Sequence, residues 1–290
     1  MENTKVLFRE LEFFLPYVDN SHFSTIYKLT RATRYQDKIV TLSQLLPEDI
    51  LFSVLQKWHQ EIETTETFIF FDSHYSSPVA SYIKSRNPKC KIILYFWNKI
   101  GESQKHFFDE RDIDEFWTFD VQDALDYSLH LNPQFYTKNI TLQKRTAKID
   151  VLFLGKEKDR KDYLKDIKAE LDILDIPSEI IVAPNDKMVL SYEKYLKKLE
   201  TTESILDITV QGQTGLTLRC MESIFLNKKL ITNNKEVKKY DFYHPENIFI
   251  IGQDSMKDLK EFLLEESIPI ESSILEEYDA NTWVKRFSKP

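Results

Sequence analysis

An α/β chain folded as two parallel-sheet halves is the architecture this sequence predicts, and three observations predict it. Short β-rich apolar runs alternate with helical patterns along almost the whole length, the pattern of consecutive βαβ units. The alternation stops at a polar, basic stretch, Thr137–Ile149 (TKNITLQKRTAKI), and then starts again. Only five glycines serve 290 residues. Gly155 and Gly252 directly follow predicted strands, and Gly212 and Gly215 separate a strand from a helix, which are the strand ends where open α/β sheets bind ligands. The expectation is two Rossmann-like domains, 1–145 and 146–290.

In the first half the strands are expected at Lys5–Leu11, Thr67–Asp72, Lys91–Trp97 and Glu115–Phe119, with helices at Phe23–Thr33, Glu48–His59 and Pro78–Arg86. In the second half the apolar runs Asp150–Leu154, Glu179–Ala183, Ser204–Ile208, Lys229–Thr232 and Asn247–Ile251 read as strands. Helical periodicity falls at Lys158–Leu174, Tyr192–Glu200, Leu216–Leu226 and Met256–Glu265.

Composition narrows the function. Hydrophobic residues make up 42% and aromatic residues 13%, enough for a real core and unlike a disordered chain. A net charge of −8 opposes a general nucleic-acid binder, which needs a basic surface, but leaves room for a small basic pocket. Cys90 and Cys220, each in an apolar run, supply neither a disulfide framework nor a cysteine zinc site. The first residues lack the pattern of a signal peptide, and no apolar run approaches the ~20 residues of a membrane span. The expected location is the cytoplasm.

The segment Ile205–Asn233 (ILDITVQGQTGLTLRCMESIFLNKKLITN) carries the sharpest chemistry. A buried strand runs into a loop with Gln213, Thr214 and Gly215, and a helix then opens through Leu216 and Thr217. Backbone N–H groups at a helix start favour an anion. Arg219, about one turn in, could meet that anion, and the Glu222 carboxylate could accept two ribose hydroxyls. An ordinary amphipathic helix with both side chains solvated has the same spacing. A second anion candidate is Gly155–Lys161 (GKEKDRK), where Lys156, Arg160 and Lys161 follow a strand. It has neither the P-loop spacing nor the dinucleotide glycine fingerprint. Tyr192 and Tyr195 could stack on a base, or simply pack.

In the first half Asp72 and His74 end the run TFIFFD, and Asn98 ends KIILYFWN. Polar residues at neighbouring strand ends suit a general base acting on a hydroxyl; Arg9 and Glu10, beside the first strand, are further candidates. A capping Asp72 with a surface His74 would look the same. The histidines show no metal-ligand spacing.

The stretch from Gly215 through Glu222 to Asn227–Lys229 and Leu230–Thr232 resembles the donor-binding helix of GT-B-fold glycosyltransferases, in particular the group-1-like enzymes of bacterial capsular polysaccharide and lipopolysaccharide synthesis. Phe116–Tyr136 resembles the end of the first half in small capsule-type members, and the helix with Trp283 fits a terminal helix that crosses back to the first domain. The resemblance implies two domains facing a cleft. It also implies metal-independent transfer of a sugar from a nucleotide-sugar donor, on family frequency a UDP-sugar, to a carbohydrate or lipid-linked acceptor, without a cofactor. Glu222 takes the place of the ribose-binding Glu, with Gly155, Lys156, Arg160, Tyr192, Gln213, Thr214, Gly215, Leu216, Thr217 and Arg219 around the donor. Asp72, His74 and Asn98 take the catalytic side. Many retaining members carry a second Glu eight positions before the first; here that position is Thr214, so stereochemistry does not follow. The resemblance allows peripheral association with the inner face of the membrane, a homo-oligomer, or a partner glycosyltransferase. A non-catalytic GT-B-like subunit supporting an active transferase is the alternative.

Overall fold

The computed structural model of the chain describes residues 3–29, 33–143, 145–157, 159–183 and 190–288. The protein is α/β with two wholly parallel sheets, and its contacts divide it into two units. Unit 1 comprises 1–133 and 280–290, and unit 2 comprises 134–279. The stretch Thr137–Ile149 thus lies inside unit 2.

Unit 1 holds β1 (Thr4–Phe8), β2 (Phe23–Thr25), β3 (Thr67–Phe71), β4 (Lys91–Phe96), β5 (Glu115–Thr118) and β6 (His130–Leu131). Their order across the sheet is β2-β1-β3-β4-β5-β6. β3 (TFIFF) is buried at every position and β4 (KIILYF) at all but its first. Parallel sheets covered on both faces require such unbroken apolar runs. Helices α1 (Thr33–Thr41), α2 (Glu48–Val54), α3 (Ser77–Arg86) and α4 (Val121–Tyr127) accompany the sheet. Asp120 starts α4 by accepting from the backbone N–H groups of Gln122 and Asp123 at 3.0 and 3.1 Å, and Ser128 ends it in the left-handed region.

Unit 2 holds β7 (Ile149–Lys156), α5 (Lys161–Ile173), β8 (Ser178–Ala183), α6 (Tyr192–Leu199), β9 (Thr202–Asp207), α7 (Leu218–Phe225), β10 (Lys229–Thr232) and β11 (Ile248–Ile250), then α8 (Leu259–Leu264) and α9 (Ser272–Tyr278). Its sheet order is β11-β10-β9-β7-β8. Read from the first strand of each unit, both sheets begin with the second strand beside the first and the third on its other side. The order therefore reverses between β1 and β3 in unit 1, and between β7 and β9 in unit 2. Such a reversal leaves a crevice at the carboxyl ends of the two strands, where doubly wound sheets bind ligands.

Residues 280–288 return to unit 1 as α10 (Ala280–Lys285) and a short 3₁₀ turn. Trp283 is fully buried there, with its ring centroid 5.0 Å from that of Tyr95 and 5.7 Å from that of Phe71.

Two helix expectations give way to tertiary pairing. The run Phe23–Thr33 opens as β2, with Val6 opposite Phe23 and Phe8 opposite Thr25; threonine and aromatic residues favour that extended edge. Among the described residues, helix follows over Thr33–Thr41. The helix expected over Glu48–His59 stops at Val54. Leu55 is extended and fully buried, it bridges Tyr27, and the Gln56 N–H donates to the Ile26 carbonyl at 3.0 Å. Helical propensity yields there to a non-local backbone pairing. No helix among the described residues is long and apolar enough to cross a membrane.

Candidate functional site

At the crevice of unit 2, β7 ends in Leu154, Gly155 and Lys156, and β9 ends in Asp207. Two arginines converge here from different helices. Arg160, at the start of α5, and Arg219, in the first turn of α7, set their guanidinium carbons 5.2 and 5.1 Å from the centre of the Phe153 ring. Gly155 makes the convergence sterically feasible. A β-carbon at that position would lie 3.1 Å from Arg160 Nη2, 3.1 Å from Arg219 Nη1 and 3.0 Å from the Phe153 ring. Gly155 is thus a close-approach glycine within a strand, whereas Gly212 and Gly252 have positive φ, of 75° and 81°.

Among the described residues Arg160 hydrogen-bonds to carbonyls. It donates to Lys156 O from Nε at 3.3 Å and from Nη2 at 3.1 Å, and to Ile208 O from Nη1. Burial, reinforced by the neighbouring Arg219 charge, pushes its pKa down to about 10. Arg219 donates from Nε to Asp207 Oδ1 at 3.0 Å and from Nη1 to Leu154 O at 3.3 Å. Asp207 bonds Arg219, and Asp207 and Asp159 both act on Arg160 through space. Two converging guanidinium groups at a strand-end crevice favour an anion.

The Gly loop beside this pair is pinned by a residue that sequence reasoning missed. Asn234, buried just past β10, donates from Nδ2 to the carbonyls of Thr214 and Gly215 at 3.2 and 3.3 Å. Asn233 Oδ1 accepts from the backbone N–H and the hydroxyl of Thr209 at 2.9 and 3.0 Å. Two adjacent asparagines after an apolar strand were the available signal. Gln213 reaches back to the Gly215 carbonyl at 3.4 Å. α7 starts at Leu218, two residues later than expected, because the Thr217 hydroxyl caps it by accepting from the Cys220 N–H at 3.1 Å. Leu216 is buried in the core, so only its backbone could meet a ligand. Lys156 is exposed at the end of β7, and Lys161 is paired with Glu157 at 2.9 Å.

Glu222 lies elsewhere in the packing than the sequence suggested. It is 1% exposed, and its two carboxylate oxygens accept from Tyr192 Oη and Tyr195 Oη, each at 2.9 Å. Tyr192 Oη also bonds Tyr136 Oη. The tyrosines, read from the sequence as able to stack on a base or simply to pack, close over the carboxylate. Burial outweighs their donated hydrogen bonds and raises the Glu222 pKa from 4.5 to about 7. Between those values the native state keeps a proton that the unfolded chain has released. The stability this group contributes is fully present below about pH 4.5 and is lost as the pH rises through about 7. Glu222→Gln cannot ionise. In urea melts, wild-type stability relative to this variant should fall by about 3 kcal/mol between pH 4.5 and pH 8. A difference that stays constant with pH would mean that the carboxylate titrates as it does in water.

In unit 1 the β1–β3 crevice gathers a second polar group. Asp72 and His74 form a short 3₁₀ turn immediately after β3 and are 7% and 4% exposed. His74 Nε2 lies 2.9 Å from Glu12 Oε1, and the imidazole packs edge-on to Phe8. His74 Nδ1 and Asp72 Oδ1 are buried without a partner among the described residues. Burial raises the Asp72 pKa from 3.8 to about 6, against backbone N–H donation from Ser73 and Trp97. Beside them Arg9 pairs with Asp37 of α1, whose Oδ1 also accepts from Tyr27 Oη at 2.5 Å and Ser76 Oγ at 2.8 Å. Asn98 is exposed in the loop after β4.

The structure thus groups Gly155, Arg160 and Arg219 in one place and Asp72 with His74 in another. Glu222 and Tyr192 are in contact with each other, with Glu222 closed off from solvent and Tyr192 partly exposed. Among the described residues no group of three His, Cys, Asp or Glu side chains could hold a metal ion. No family model matches the chain, and a search of curated proteins finds no match.

Proposed function

We propose that the protein is a glycosyltransferase of GT-B type. Unit 2 takes a nucleotide-sugar donor, a UDP-sugar by family frequency, and unit 1 takes a carbohydrate or lipid-linked acceptor. The observation that carries this reading is the pair Arg160 and Arg219, converging around Gly155 at the β7–β9 crevice. A diphosphate is the group that two converging guanidinium groups suit. Arg219 Nη1 and Nε are spoken for, so Nη2 and the backbone of the Gly215–Thr217 loop are the groups that reach it. The loop is already immobilised by Asn234, which lowers the ordering cost of binding. As the glycosidic bond breaks, the same cations stabilise the leaving diphosphate. Asp72 or His74 removes the acceptor proton if the reaction inverts configuration.

Arg219→Met should weaken UDP binding by about 10–150-fold, the equivalent of one lost charged hydrogen bond, and leave uridine binding unchanged in calorimetry. Asp207→Asn, which keeps the guanidinium, should retain UDP binding and serves as the control for the broken ion pair. Equal UDP affinity in wild type and Arg219→Met sinks the donor-site reading.

One observation favours a second reading, a non-catalytic GT-B-like subunit that supports an active glycosyltransferase. The carboxylate in the ribose-binding position, Glu222, is occupied by Tyr192 and Tyr195. Donor hydrolysis or transfer by the purified protein alone decides between the two.

A further inference from the structure

β9 ends at Asp207, and its ladder with β10 closes on the pair Thr232 and Asp207. Ile208 and Thr209 lie beyond that ladder, yet both are buried. The peptide group that joins them is trans, so its C=O and N–H point opposite ways from one rigid plane. The sheet order puts β10 on one side of β9 and β7 on the other. The two polar groups find partners accordingly. The Thr209 N–H donates to Asn233 Oδ1, just past β10, at 2.9 Å, and the Ile208 carbonyl accepts from Arg160 Nη1, past the end of β7. The Thr209 hydroxyl donates to the same Asn233 oxygen at 3.0 Å.

We infer that Asn233 is a positioning residue for Arg160, acting through the Ile208–Thr209 peptide group. Asn233 takes the N–H, and the rigidity of the plane passes that constraint to the carbonyl on its far side. A peptide group that donates is also a better acceptor, because hydrogen bonds in a chain polarise one another. With Nη1 on the Ile208 carbonyl and Nε and Nη2 on the Lys156 carbonyl, the guanidinium is fixed beside Gly155 and Arg219. Without the Asn233 oxygen the buried Thr209 N–H loses its acceptor. Turning the peptide to find another carries the Ile208 carbonyl off Arg160. The next residue, Asn234, works with the opposite end of its amide, donating from Nδ2 to the Thr214 and Gly215 carbonyls. Consecutive asparagines after β10 thus govern the guanidinium and the Gly loop of one crevice. The inference rests on the reading of that crevice as a diphosphate site, and it adds the residue that sets the cation there.

The test has a ligand-free arm and a binding arm, both on the full chain. In nitrogen-15 NMR of the free protein, Asn233→Ala should lower the exchange protection of the Thr209 amide about tenfold and broaden the Arg160 side-chain signals. Asn233→Asp, which keeps the acceptor oxygen, should preserve both. Arg160 signals that do not change in Asn233→Ala overturn the inference. In calorimetry, Asn233→Ala should bind pyrophosphate and UDP about three- to tenfold more weakly than the wild type. In an Arg160→Met background the same substitution should cost nothing further, because the two residues act as one unit. Wild-type affinity in Asn233→Ala overturns the inference, and so does a double variant whose loss is the product of the two single losses. A wild type that binds neither pyrophosphate nor UDP sinks the diphosphate reading instead, and the ligand-free signals then decide the positioning role alone.

Discussion

Asp72→Asn and His74→Ala should each cut sugar-transfer turnover by about 10²–10⁴-fold, if that residue is the base, while UDP affinity stays at the wild-type value. The expectation rests on two buried atoms, Asp72 Oδ1 and His74 Nδ1, which have no partner among the described residues. A buried polar atom without a partner costs stability, and under the proposed function an acceptor hydroxyl at the crevice would offset that cost. The pH profile of the Asp72 variant tests the carboxylate. Asp72 must be ionised to accept a proton, and burial holds its pKa at about 6. Turnover limited by Asp72 therefore falls as the pH drops through about 6, and Asp72→Asn abolishes that limb. Glu12 keeps the imidazole in place through Nε2, so Glu12→Gln should impair turnover without changing UDP affinity if His74 is the base. Normal turnover in both Asp72→Asn and His74→Ala moves the search to Arg9, Glu10 and the loop after Trp97.

Trp283→Ala should destabilise unit 1 by about 3–5 kcal/mol, the usual cost of emptying a buried aromatic site. The indole is fully buried, with its ring centroid 4.6 Å from Phe287 and 5.0 Å from Tyr95. The Asn132 side chain also donates to the Trp283 carbonyl at 3.3 Å. The protein provides a convenient probe. Its four tryptophans, Trp58, Trp97, Trp117 and Trp283, all belong to unit 1. Fluorescence-detected urea melts therefore follow unit 1 alone, whereas circular dichroism follows both units. The fluorescence midpoint should fall in the variant, and Trp283→Phe should recover most of the loss. An unchanged midpoint in Trp283→Ala would mean that residues 280–288 contribute nothing to that core.

The parallel-sheet architecture was legible because β3, β4, β9 and β10 are short apolar runs with helical patterns between them, and burial on both faces demands such runs. The arginine pair was legible residue by residue but not as a pair. Arg160 and Arg219 are 59 positions apart, and only the strand order brings β7 beside β9. β2 was hidden because three residues leave too little periodicity to outweigh the helical pattern after them. The fate of Glu222 was hidden for another reason. Its i, i+4 spacing from Leu218 places it on a helix face, but whether that face meets water or tyrosines depends on α6, which spacing within α7 does not encode. Asn234 was overlooked because its role lies in side-chain bonds to a loop twenty residues earlier.

The composition of unit 1 from two separated stretches of chain bears on how the protein is made. Residues 1–133 emerge from the ribosome first, but their sheet lacks Trp283 until 150 further residues have been added, since 283 − 133 = 150. At about 5–20 residues per second that interval is roughly 8–30 s. Throughout it, Phe71 and Tyr95 are missing an aromatic neighbour that the finished protein provides. Unit 2 has no such delay. Its two ends meet, with the Tyr136 N–H donating to the Tyr278 carbonyl at 3.0 Å, so everything it needs lies in one continuous stretch. The nascent chain therefore completes its second half before its first, and a chaperone that shields apolar surface acts for longest on the part synthesised earliest.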